Sequence, residues 1–120
     1  MKILVIDDSR AMRTLLAGML SDLGHEVLQA GDGKEALDVL RASDGVKVCL
    51  VDWNMPVMSG YEFVVAVRAD ARYSALKLMM VTTETEMEQV IRALEAGADE
   101  YVMKPFTQDV IVDKLKMMGL

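Results

Sequence analysis

Five short apolar runs, each followed by a stretch with helical spacing, organise the 120-residue chain. Ile3 to Ile6 reads as a first strand, after which Met12, Leu15, Leu16, Met19, Leu20 and Leu23 recur at the spacing of one helix face, closed by Gly24. Val27-Leu28 is a short second strand, and Ala36, Leu37 and Leu40 mark the helix after it. Val46 to Val51 forms the third strand, ending in Asp52, with a helix from about Gly60 to Arg68. Leu78 to Val81 is the fourth, followed by a helix marked by Met87, Val90, Ile91 and Leu94. Tyr101-Val102-Met103 is the fifth, and Val110 to Met118 the closing helix. Low-complexity tracts, linkers and repeats beyond this alternation are absent.

Continuous apolar strands are buried on both faces, and the helices between them supply the crossovers that parallel neighbours need. The expectation is an α/β domain on a doubly wound, five-stranded parallel sheet. Ligands of such sheets bind beyond the carboxyl ends of the strands, so the informative residues stand just after each one. Those residues are Asp7 and Asp8, then Asp52, Thr82-Thr83 and Lys104-Pro105. The second strand is followed by Gly31-Asp32-Gly33, where Asp32 reads as a turn or helix-cap residue.

Composition narrows the partners. With 52% hydrophobic and 27% charged residues the chain is globular, and the expectation for 120 residues is one domain, 1–120, with no output domain. A net charge of −6 argues against nucleic acid as a direct partner, because phosphate contacts need a basic surface. Proteins and cations fit better. The single cysteine, Cys49, lies in an apolar strand as a small hydrophobe and suits a reducing compartment. The first apolar run is cut short by Asp7-Asp8, leaving neither a signal-peptide core nor a bilayer-spanning length. A cytoplasmic monomer is expected, with no membrane association.

Three carboxylates at one site repel one another and partly protonate unless a cation joins them. All-oxygen ligation with room for water suits Mg²⁺. Lys104 and Thr82 add an ammonium and a hydroxyl, both partners for phosphoryl oxygens. Each residue has a plainer reading alone: Asp7-Asp8 as a capping pair, Lys104 as a solvated turn lysine, Thr83 as a helix cap. Their joint placement at strand ends separates the two readings.

The segments "VIDDS" (5–9), "VDWNMPVMSG" (51–60), "VTTE" (81–84) and "YVMKPF" (101–106) together resemble the receiver domain of two-component response regulators. The match spans the whole chain and is closest to the stand-alone chemotaxis type, the CheY-like proteins. The resemblance implies the flavodoxin-like (βα)5 receiver fold with strand order 2-1-3-4-5, an order known for that fold and not deduced from spacing.

It also implies site roles. Asp52 would be the phosphoacceptor, taking a phosphoryl group from a phosphohistidine on a sensor histidine kinase. Asp8 and Asp52 would ligate Mg²⁺ directly, Asp7 through water and Asn54 through its backbone carbonyl. Lys104 would pair with the phosphoryl group, next to a peptide before Pro105 that is typically cis in the family. Thr82 would be the switch hydroxyl, and Tyr101 the aromatic that turns inward with it. Asn54 and Glu84 would tune dephosphorylation, with a phosphatase as a further partner, and Thr83 would tighten access where relatives often carry a smaller residue. The altered face would include Met87, Val90, Met103 and Lys114, read by an output protein such as the flagellar motor switch. The chain would be no enzyme beyond its own phosphorylation and dephosphorylation.

Four rivals share some of these features. An aspartate-nucleophile phosphatase of the haloacid dehalogenase type also needs Asp after a strand and Mg²⁺, but carries Asp-x-Asp where "DWN" has Asn54. A phosphorelay intermediate receiver outside chemotaxis would carry the same site. A flavin-binding module would meet its phosphate with Asp7-Asp8, which repel it, and a pseudo-receiver would lack one of Asp8, Asp52, Thr82 or Lys104. His25 in "LGHEV" reads as a surface residue, and Met55, Met58 and Met87 as exposed contact candidates. Trp53 reads as a local packing residue that can report on the site.

Overall fold

The computed structural model describes residues 1–83 and 87–120. Five strands, β1 (Lys2–Ile6), β2 (Glu26–Ala30), β3 (Val46–Asp52), β4 (Lys77–Thr82) and β5 (Glu100–Met103), alternate with five helices. These are α1 (Arg10–Asp22), α2 (Gly33–Ala42), α3 (Gly60–Arg68), α4 (Met87–Ala96) and α5 (Gln108–Met117), with a 3-10 turn at Ala71–Tyr73 between α3 and β4. All strand pairs are parallel, and the order is β2-β1-β3-β4-β5. The doubly wound α/β expectation and its strand order are both met.

Alternation along the central strands builds the two layers, because successive side chains point to opposite faces. Leu4, Ile6, Cys49, Val51, Leu78 and Met80 face one way and pack with Ala36, Leu40, Phe63, Val64, Val67 and Ala93 from α2, α3 and α4. Ile3, Val5, Val48, Leu50, Met79, Val81 and Val102 face the other, against Leu16, Leu20, Ile111 and Leu115 from α1 and α5. Burial pushes the Cys49 thiol above its ordinary range, as befits a core residue.

Local chemistry sets the helix ends. Ser9, Asp32, Ser59 and Thr107 accept from backbone N–H groups of Met12, Glu35, Glu62 and Val110 respectively, and Ser59 with Glu62 completes a capping box. Gly24, at φ 88°, ends α1 as expected: its N–H bonds to Ser21 O at 2.9 Å and that of His25 to Leu20 O at 3.1 Å.

Several readings from periodicity need correction. The second strand is longer than Val27-Leu28 suggested and runs over five residues, its edge position leaving it too polar to read fully. The buried stripe of α1 centres on Leu16 and Leu20, so Leu15, one residue round the helix, is 50% exposed. Leu23 caps α1 and lies outside its face. On α4, Val90 and Ala93 are fully buried while Ile91 is exposed. Met55 and Met58 are half-buried against the core cluster and are not exposed contacts. His25 is half-buried, its Nδ1 lying 3.1 Å from the α-amino group, and burial together with that cation lowers its pKa.

Candidate functional site

The ends of β1, β3, β4 and β5 bring their polar residues to one edge of the sheet. Asp7 follows β1 and is 2% exposed, Asp52 closes β3 at 7%, and Thr82 closes β4 fully buried. Lys104 follows β5, its backbone N–H held by Thr82 O at 2.7 Å and its peptide to Pro105 cis. Asp8 and Asn54 are exposed at the rim. One carboxylate oxygen each from Asp7, Asp8 and Asp52 lie within 4.8 Å of one another, the acidic group found among the described residues.

Among the described residues the partners of these acids are few. Lys104 Nζ donates to Asp52 Oδ1 at 3.2 Å and stands 3.8 Å from Asp7 Oδ2. Ser9 N–H donates to Asp7 Oδ1 at 2.9 Å, leaving Asp7 Oδ2 buried with no hydrogen-bond partner among the described residues. Burial pushes the Asp52 carboxyl up to about 6, the charge of Asp7 adds to the rise, and Lys104 opposes it without prevailing. The Asp7 carboxyl is raised chiefly by burial as well, against the Ser9 N–H and Lys104. One ammonium is insufficient for two buried carboxylates and their exposed neighbour. An orphaned carboxylate oxygen, three converging acids and an all-oxygen donor set fit a hard divalent cation, so this group could hold a metal ion.

The sequence reading missed three supports. Arg13 on α1 reaches back to donate to the carbonyl of Asp7 at 2.6 Å, fixing the β1–α1 turn. Ser9 caps α1 and, through its own N–H, orients Asp7. Gly60 is the tightest of all: a Cβ there would lie 2.5 Å from the Asp52 carbonyl oxygen and 3.0 Å from Trp53 Cα. Its N–H donates to Trp53 O at 3.0 Å, so the loop after Asp52 closes on itself. A glycine opening a helix eight residues after the strand-end acid is a readable signal of close backbone approach.

Among the remaining expected residues, the Thr82 hydroxyl donates to Thr83 O at 3.3 Å. Trp53 is nearly buried and its ring lies 6.0 Å from that of Tyr61. Tyr101 is half-buried under Lys114, whose Nζ stands 4.7 Å from the ring centroid and 3.1 Å from Glu100 Oε1. Met103 is 38% exposed. Val90, expected on the contact face, is instead fully buried, because the apolar stripe of α4 turns it onto the sheet. Glu84 lies outside the described residues, and so does the side chain of Met87, which opens α4. No helix among the described residues is long and apolar enough to cross a membrane.

Comparison with known proteins shows the family and the fold. The sequence profile of the response regulator receiver domain matches residues 3–116. The chain is 48% identical over 117 residues to a chemotaxis protein CheY homolog of Campylobacter jejuni, covering 97% of this chain and 90% of the relative. It is 45% identical over 119 residues to chemotaxis protein CheY1 of Helicobacter pylori, covering 98% and 96%. The solved structure of chemotaxis protein CheY4 of Vibrio cholerae superposes with a TM-score of 0.90 at 38% identity, covering 98% of this chain and 97% of that one.

Proposed function

The chain belongs to the response regulator receiver family, and on that premise we propose that Asp52 accepts a phosphoryl group from the phosphohistidine of a sensor histidine kinase in a chemotaxis-type two-component pathway. The observation that carries the reading is the convergence of Asp7, Asp8 and Asp52 within 4.8 Å, with the Lys104 ammonium 3.2 Å from the acceptor.

In the transfer an Asp52 carboxylate oxygen attacks phosphorus, the P–N bond breaks, and its electron pair returns to the imidazole, which takes up a proton. An acyl phosphate remains on Asp52. Lys104, already beside Oδ1, is placed to pair with the arriving phosphoryl oxygens. Asp7 is oriented by Ser9 and Arg13, so its free oxygen keeps a fixed direction. Asp7, Asp8, Asp52 and the Asn54 backbone carbonyl would hold Mg²⁺, which supplies positive charge to the transferring group when bound. Asn54 and Glu84 are assigned to tuning hydrolysis by water. The chain is a signalling protein whose chemistry is confined to its own phosphorylation and dephosphorylation. Nothing at the site favours a phosphatase, since Asn54 stands where that class needs a second carboxylate.

The signal leaves through a surface. A phosphoryl group offers the Thr82 hydroxyl a new acceptor, and its movement gives Tyr101 room to turn inward. The altered face, formed by α4, β5 and α5, includes Met103 and Lys114, with Met87 at its edge. Its reader is an output protein such as the flagellar motor switch, and a phosphatase would reset the state. The protein acts as a cytoplasmic monomer.

The test is incubation with acetyl phosphate. Wild type should gain one phosphoryl group only with Mg²⁺, Asp52→Asn should gain none, and Trp53 fluorescence should respond to Mg²⁺ titration. Equal labelling of Asp52→Asn and wild type would refute the assignment.

A further inference from the structure

The loop that follows the acceptor carries a backbone conformation that its own contacts do not explain. Val57 has φ 68°, and among the described residues no other non-glycine residue has a positive φ. Met58 N–H donates to Pro56 O at 2.7 Å, which makes Val57 the centre of a γ-turn. A β-branched side chain is poorly suited to this region, where Gly or Asn sits with far less strain. The strain is not offset by packing, because Val57 is 76% exposed, the highest value among the large hydrophobic residues found exposed. Its loop neighbours behave differently: Met55 and Met58 are turned into the core cluster. The loop is shut at its base by Gly60 N–H on Trp53 O at 3.0 Å, a backbone bond that any residue at position 57 would leave in place. An apolar, strained side chain thus stands exposed on a loop that is closed and anchored beside Asp52.

Strain held at an exposed position beside a reactive group points to a function outside the folded chain. Asp52 and Asp7 are 7% and 2% exposed, so a donor group must reach inward to them, bringing its carrier's surface down onto the loops around the strand ends. The loop of residues 53–59 is one of those, and Val57 is its exposed apolar contact point.

We propose that Val57 is a docking contact for the histidine kinase, seated against an apolar patch that flanks the phosphohistidine. This rests on Asp52 being the phosphoacceptor. A small phosphoramidate donor carries the same P–N bond without a protein surface, so it uses Asp52 but not Val57.

The experiment compares wild type with Val57→Asn, Val57→Gly and Val57→Leu, using two donors with Mg²⁺: phosphoramidate, and an autophosphorylated chemotaxis histidine kinase selected because it labels the wild type. Val57→Asn should raise the Tm by about 3–6 °C, because the turn is relieved. Both Val57→Asn and Val57→Gly should accept phosphoryl groups from the kinase about five-fold more slowly or worse, having lost the apolar contact. Labelling by phosphoramidate should be unchanged in all variants, and Val57→Leu should keep the kinase rate. Wild-type transfer rates from the kinase in Val57→Asn and Val57→Gly would overturn the proposal, whatever other protein the side chain touches. Equal losses with phosphoramidate would also overturn it, since Val57 would then act on the acceptor itself. A wild type that takes no label from phosphoramidate would instead overturn Asp52 as acceptor.

Discussion

Lys104 Nζ donates to Asp52 Oδ1 at 3.2 Å across 52 residues of sequence. The contact spans two strand ends, β3 and β5, with β4 between them, and its geometry is tied to β4 by the Lys104 N–H on Thr82 O. One lysine thereby touches Asp52 through its side chain and Thr82 through its backbone. It does not neutralise the site, as the upward shifts at Asp52 and Asp7 record.

That imbalance has a pH signature. Asp52 ionises at about 6 in the folded chain against an ordinary value of 3.8. Below about pH 4 the group is neutral in folded and unfolded chains alike and carries no penalty. As pH rises through about 6, the folded chain must ionise a buried carboxylate, and stability is lost. In EDTA, Asp52→Asn should therefore be more stable than wild type at pH 8, by on the order of 1–2 kcal/mol. Chemical denaturation at pH 8 and near pH 4 checks this, and the gain should vanish at the lower pH.

Gly60→Ala should be strongly destabilising. The added methyl would meet the backbone of Asp52 and Trp53, which cannot swing aside as a flexible side chain could. A loss of about 2–4 kcal/mol is expected by urea denaturation, with slower labelling of Asp52 as its strand end is displaced.

The Arg68–Asp99 pair should matter more than a surface ion pair. Arg68 donates to Gly97 O, Tyr73 O and Asp99 Oδ2, while Asp99 Oδ2 also accepts from Leu78 N–H at 2.9 Å. Asp99→Ala leaves both a guanidinium and the β4 amide short of a partner, at a cost of about 2–3 kcal/mol. Hydrogen exchange at the Leu78 amide should accelerate by more than at the other amides of β4.

Glu100→Ala addresses the surface formed by β5 and α5. Glu100 holds Lys114 at 3.1 Å, and Lys114 covers the Tyr101 ring at 4.7 Å. Without the carboxylate the ammonium should leave the ring, and Tyr101 side-chain signals in NMR should shift toward averaged rotamers. Stability should fall by less than about 1 kcal/mol, as expected of a partly exposed pair.

Much of this was legible along the chain because burial and chemistry were segregated. The runs at Ile3–Ile6 and Val46–Val51 read as strands buried on both faces, and their layers alternate residue by residue. Asp7, Asp52, Thr82 and Lys104 were found because a parallel sheet gathers the residues at its carboxyl ends along one edge. Supports set by tertiary approach were not legible: the reach of Arg13 to the Asp7 carbonyl has no sequence period. Nor was the γ-turn at Val57, since a valine is the last residue that turn chemistry would select there. Val90 was misplaced because adjacent apolar residues on α4, Val90 and Ile91, do not reveal which of them faces the sheet.

The central claim is that Asp52, and no other carboxylate of the cluster, receives the phosphoryl group. Trapping answers it most directly: react the protein with acetyl phosphate in Mg²⁺ or in EDTA, reduce with borohydride, and read the sequence by tandem mass spectrometry. Reduction of an aspartyl phosphate leaves homoserine at the position that carried it. Homoserine is expected at position 52 alone, and only with Mg²⁺. Homoserine at position 7 or 8, or equal amounts at position 52 in EDTA, would contradict it.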